Sequence, residues 1–163
     1  MRNPYQQKMF FLKMKDQQYK TGKRVVPVKY DYENMPLSNF NQYPSDRSIE
    51  ILNDILEVFQ EFYGITIDEL IVEKRAHWEA ILRAHLFWLV RFYRQWSKFD
   101  QEPFDVTDSF VTSMFARRHP MAGHGERAID MLLEADFNFR KSHDELFDLM
   151  ENKLRKYKMG KLI

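Results

Sequence analysis

Apolar residues recur at helical spacing along most of this chain, which makes an all-α fold the expectation. Ile51, Ile55, Val58, Phe59 and Phe62 form one such stripe, with Ser45 or Asp46 placed to cap its start and Gly64 to end it. Thr66 with Glu69 three residues on is a capping box for a short helix bearing Ile67, Leu70 and Ile71. A long helix follows from about Arg75 to Trp96, with Trp78, Ile81, Leu82, Leu86, Leu89, Val90 and Tyr93 on its apolar side. Pro103 interrupts the pattern, and Thr107 or Asp108 reopens it as a short helix carrying Phe110, Val111 and Met114. After a tight turn at Ala116-Arg117-Arg118, a helix starts near His119-Pro120 and reaches about Ala135. A last amphipathic helix carries Phe139, Leu146, Phe147, Leu149, Met150 and Leu154.

The expected product is about six helices around one core. Phe59, Phe62, Leu70, Leu86, Leu89, Val111, Phe115 and Ile129 should meet there, and Trp96 should anchor the loop 96–105. Residues 45–158 make up this domain. A basic, mostly irregular arm (1–44) precedes it and a basic tail (159–163) follows. Within the arm, Tyr5 to Tyr19 can form a short helix, and Val25 to Val28 is extended because Pro27 blocks a helix. The arm either docks on the domain or stays mobile, and should add little to the core.

Charge is distributed unevenly. Residues 1–35 hold eight Lys/Arg against three Asp/Glu, residues 36–152 hold twelve against twenty-one, and residues 153–163 hold five against none. An acidic middle excludes a broad nucleic-acid-binding face, so any such face must be a local cluster. There is no cysteine, hence no disulfide framework and no thiolate zinc site. No run reaches the roughly 18 apolar residues of a membrane span, and the start of the chain does not read as a signal peptide, so a cytoplasmic protein is expected.

A helix, a short turn and a second helix is the helix-turn-helix pattern. Two basic clusters bracket it here. Lys74-Arg75 opens the first, and Arg83 and Arg91 continue it at intervals of eight residues, slightly more than two helical turns, so the three arginines trace one stripe. Arg117-Arg118-His119 is the second, at the start of the second helix, where base edges and phosphates are met.

These residues carry a resemblance. Glu61 to Leu70 (EFYGITIDEL), the eight-residue spacing of Arg75 and Arg83, Leu89, and Val111 with Phe115-Ala116-Arg117-Arg118-His119 resemble the C-terminal DNA-binding domain of the bacterial chromosomal replication initiator DnaA, over roughly residues 47–154. His124 and Ile129 fall where that family has a second histidine and an apolar residue. The chain departs from the pattern in four places. About ten extra residues separate Leu89 from Phe115, Arg118 replaces an aspartate, Pro120 and Met121 replace a hydroxyl pair, and Gly123 and Gly125 enter the second helix. The resemblance implies that Lys74 and Arg75 lie beside the site with Arg75 in the minor groove. It implies that Arg83, Arg91 and Arg117 meet phosphates and that His119 approaches a base edge or thymine methyl; Arg118 and Met121 complete the expected DNA-binding set. It further implies double-stranded DNA as partner, a part in replication initiation or its regulation, association with the nucleoid, and replication or regulatory proteins as further partners. The phosphate-cradling Gly-x-x-x-x-Gly-Lys-Ser/Thr loop of the initiator's ATPase is not in this sequence.

Simpler readings accompany each of these. The arginine stripe can be a solvated face paired with Glu73 and Glu79, His119 can cap a helix, His124 can be structural, and Met114 and Met121 can be core residues. His77, Glu79, His85, His119 and His124 have no His-Glu-x-x-His spacing, so neither a catalytic metal nor a cofactor is expected, and the chain does not read as an enzyme. The alternative function is a protein-interaction or decoy module on the same fold, with Trp96, Phe99, Phe104, the acidic last helix and Met9-Phe10-Phe11 of the arm as its contacts.

Overall fold

The structure, a computed structural model, describes residues 25–32, 43–71, 77–115 and 120–158. Six α-helices follow one another: α1 (Asp46–Tyr63), α2 (Ile67–Ile71), α3 (His77–Trp96), α4 (Asp108–Met114), α5 (Pro120–Ala135) and α6 (Phe137–Leu154). A 3-10 turn at Arg155–Tyr157 closes the domain. Among the described residues there is no strand, and an isolated antiparallel bridge joins Phe99 to Lys158. The short helix expected between Tyr5 and Tyr19 lies outside the described residues.

The helix ends follow local chemistry. Ser45 Oγ accepts from Ser48 N at 3.1 Å to cap α1, and Gly64 ends it in the left-handed region at φ 65°, its N–H on Gln60 O. Thr66 Oγ1 accepts from Glu69 N at 3.2 Å, Thr107 Oγ1 from Phe110 N at 3.1 Å, and Asp136 Oδ1 from Phe139 N at 3.1 Å. Pro120 is the first residue of α5, where its missing N–H and fixed φ cost nothing.

α3 packs chiefly on α5, and α1 on α6. All eight residues expected in the core are buried there, none more than 5 % exposed. Each such side chain contributes about 1.5–3 kcal/mol relative to an exposed position. The α3–α5 crossing is tight at one point. A Cβ built on Gly125 would stand 3.1 Å from Ala84 Cβ and 3.2 Å from Ala84 Cα, so the glycine sets how closely the two helices approach.

One expectation is corrected. Trp96 is not the anchor of the loop 96–105: it is 73 % exposed, while Phe99 and Phe104 are buried. The chain leaves α3 at Trp96, and Phe99 folds back onto Tyr93 and Phe104, with ring centroids 6.5 and 5.8 Å away. Asp100 N donates to Tyr157 O at 2.8 Å and fixes this return. Of the two alternatives for the arm, residues 25–32 take the docked one. Val28 N donates to Gln60 Oε1 and Gln60 Nε2 donates to Val28 O, both at 3.2 Å, so one buried side chain holds both polar groups of an extended residue. Tyr30 Oη donates to Met114 O, Tyr32 Oη to Asn53 Oδ1, and the Tyr32 ring stacks on Phe110. Residues 25–32 are therefore docked, and both tyrosines extend the core.

Candidate nucleic-acid interface

α4 ends at Met114 and α5 begins at Pro120, with Phe115 the last described residue of the segment between them. Phe115 is 2 % exposed and packs edge-on against Phe87 of α3, centroids 5.5 Å apart, which fixes the end of α4 against the long helix. Arginines complete the attachment. Asp108, the first residue of α4, pairs with Arg94 Nη1 at 2.9 Å, and Arg91 Nε lies 3.5 Å from its other oxygen as an ion pair without a hydrogen bond. Arg94 Nη1 also donates to Val106 O at 3.1 Å. A carboxylate at a helix N-terminus already opposes the positive end of the helix dipole, and two guanidinium groups add to its stabilisation. Arg91 Nη1 in turn pairs with Glu126 of α5. One arginine thus ties α3, α4 and α5 together.

The residues expected to contact DNA fall into three groups. Lys74, Arg75, Arg117, Arg118 and His119 lie outside the described residues. Met121 is in the first turn of α5, its side chain outside the described set. Arg83 and Arg91 are described, and both are engaged by the protein. Arg83 is 7 % exposed, and its Nη1 donates to Leu70 O at 3.0 Å. That carbonyl is among the last of α2, which have no partner within so short a helix, so the guanidinium serves as its C-terminal cap. Arg91 has a side chain 21 % exposed with its charge matched by Asp108 and Glu126. Their spacing does place them along one helix, but toward different neighbours: Arg83 toward α2, Arg91 toward α4 and α5.

Charge along α5 changes from one end to the other. The basic run Arg117-Arg118-His119 immediately precedes it, whereas Glu126, Asp130 and Glu134 occupy its middle and end. α1 carries five acidic residues against one arginine. Acidic residues thus lie along α1 and the later turns of α5, and the basic run precedes α5 in the sequence. Among the described residues no group of three or more His, Asp or Glu side chains is placed to hold a metal, and no helix is long and apolar enough to cross a membrane.

Sequence reasoning passed over three features. Gln60 was hidden because one glutamine inside an amphipathic helix carries no signal. The pairing of His85 with His143 was hidden because the two lie on separate helices. The role of Gly125 was legible only as a helix-weakening residue, since its benefit is the neighbouring Ala84. The fold is all-α among the described residues, with α4 and α5 braced on α3. Comparison with protein-family models, curated proteins and solved structures gives no match.

Proposed function

We propose that this chain binds double-stranded DNA through α4, the basic turn and the first turns of α5, as a helix-turn-helix domain acting in replication initiation or its regulation. The observation that carries the reading is the brace: Asp108 and Glu126 hold α4 and α5 on α3 while the basic run Arg117-Arg118-His119 falls between them. A helix N-terminus that follows directly on a cationic run in the sequence is what phosphate contact and groove entry require. The resemblance of the Phe115–His119 segment to the DnaA signature supports the same site. Arg83 and Arg91 act here as positioning groups, and the direct contacts fall to Arg117, Arg118, His119 and Met121, with Lys74 and Arg75 flanking.

The test is fluorescence anisotropy of labelled duplexes with the full chain over a salt series. Each phosphate neutralised steepens the fall of log K with log salt by about 0.9. Binding with a slope of about 3 or more is expected, and Arg117→Ala with Arg118→Ala should lower it by about 2. Absence of salt-sensitive binding to any duplex at low ionic strength would overturn the proposal. A second reading, a protein-interaction module, is favoured by one observation: Trp96, Met131 and Phe137 are 73, 68 and 76 % exposed. That reading takes over if DNA binding fails.

A further inference from the structure

Three aromatic-ring residues from three helices form a hydrogen-bonded chain through the core. Tyr63 of α1 bonds through its Oη to Nδ1 of His85 on α3, and His85 Nε2 lies 2.9 Å from Nδ1 of His143 on α6. His85 is fully buried and His143 is 8 % exposed. Apolar rings enclose them. Phe59 and Phe139 pack on His85, and Trp88 stands edge-on to His143 with centroids 4.8 Å apart. Phe147 stacks on His143 from the next turn of α6.

Each contact in such a chain holds a single hydrogen. With both imidazoles neutral, the donors run in one direction, each ring giving from one nitrogen and accepting at the other. One added proton is tolerated by reversing that direction, at the cost of a charge among apolar rings. Two are not, because two imidazolium rings would set N–H against N–H across 2.9 Å. Among the described residues, the charged groups near the pair do not offset that clash. Burial holds the pKa of His143 below the ordinary histidine value, against the pull of Asp144 on its own helix. From α5 comes Asp130, whose Oδ1 is engaged by Trp88 Nε1 at 2.9 Å; α1 contributes the phenol of Tyr63, and α3 contributes His85 itself.

We propose that the Tyr63–His85–His143 chain is an acid-sensitive latch, which holds the first half of α6 against α3 and α1 while the imidazoles are neutral and releases it when both become charged. The second half of α6 is pinned separately. Glu151 accepts from Tyr93 Oη at 3.1 Å and from Lys158 Nζ at 2.7 Å, and Lys153 pairs with Glu57 at 3.2 Å. Release is therefore local. The sign follows from linkage. A released or unfolded histidine protonates near pH 6.5, whereas the latched pair excludes at least one proton. Stability from the latch is present above pH 6.5 and is lost as pH falls, by up to tenfold in the closed-to-open ratio per pH unit for each excluded proton.

The experiment uses the full chain and does not depend on any DNA-binding activity. Imidazole nitrogen shifts and amide hydrogen exchange are followed by NMR from pH 8 to 5.5, with exchange corrected for its intrinsic pH dependence. The pair should take up no second proton well below pH 6.5, and amides from Phe139 to Phe147 should open roughly eightfold more often at pH 5.5 than at pH 7. In His143→Gln, which keeps a hydrogen-bonding partner for His85 but cannot titrate, that acceleration should disappear. Ordinary titration of both rings with unchanged α6 exchange would overturn the latch, and so would the same acceleration in His143→Gln. Should that variant not fold, the wild-type shifts and exchange decide alone.

Discussion

Arg83 separates two roles that a sequence alone leaves superimposed. As a phosphate contact its loss removes affinity; as a cap on α2 its loss removes stability. In Arg83→Ala the charge-assisted bond from Nη1 to Leu70 O, 3.0 Å in the native protein, disappears. A bond of that kind contributes about 1.5–3 kcal/mol. Two methylenes of the buried stem go with it, about 0.8 kcal/mol each. Relief from holding a guanidinium at 7 % exposure offsets part of this, so a net destabilisation of about 2–4 kcal/mol is expected. Urea unfolding measures it directly. With a slope of about 1–3 kcal/mol/M, the midpoint should fall by roughly 1–2 M with the slope itself unchanged. The salt dependence of DNA binding by the folded variant should stay as in the native chain. A variant of native stability whose salt slope drops by about 1 would refute the reasoning and return Arg83 to the phosphate surface.

Two further substitutions probe how the helices are held. Gly125→Ala should destabilise by about 1 kcal/mol in thermal or urea unfolding, although alanine favours a helix by about that amount, because overpacking against Ala84 at 3.1 Å costs about 1–3 kcal/mol. Gln60→Ala removes the partner of Val28 N, Val28 O and Ile67 N at a site 1 % exposed; a loss of about 2–4 kcal/mol is expected, with limited proteolysis near residues 25–32 markedly faster than in the native chain.

Most of the fold was legible in the sequence because its information is local. A helix needs a stripe and two ends, and Ser45, Gly64, Thr66, Thr107 and Pro120 each mark an end by chemistry acting within four residues. The eight core positions followed from the same stripes. The loop 96–105 did not, because size and aromaticity favour Trp96 equally with Phe99 as an anchor. Which ring is buried is decided by Lys158 and Tyr157, which hold the loop from the far end of the chain. Docking of Tyr30 and Tyr32 was hidden for the same reason: Gln60, Asn53 and Met114 lie far from them in sequence.

The candidate site divides along the same line. Periodicity reports that Arg83 and Arg91 share a long helix, but says nothing of what other segments bring to face them. Leu70 O reaches Arg83 because α2 ends against α3, and Asp108 and Glu126 reach Arg91 because α4 and α5 fold back onto it. A guanidinium so engaged can no longer neutralise a phosphate, yet it sets the position of the helix that would. Losing Arg91 should then disturb DNA binding by shifting α5 and the turn before it, a change in how tightly every duplex fits, while leaving the number of neutralised phosphates as it was. Losing Arg117 should do the reverse. On the proposed reading, arginines that look alike in sequence belong to two layers of one interface, Arg83 and Arg91 to the support and Arg117 to the contact.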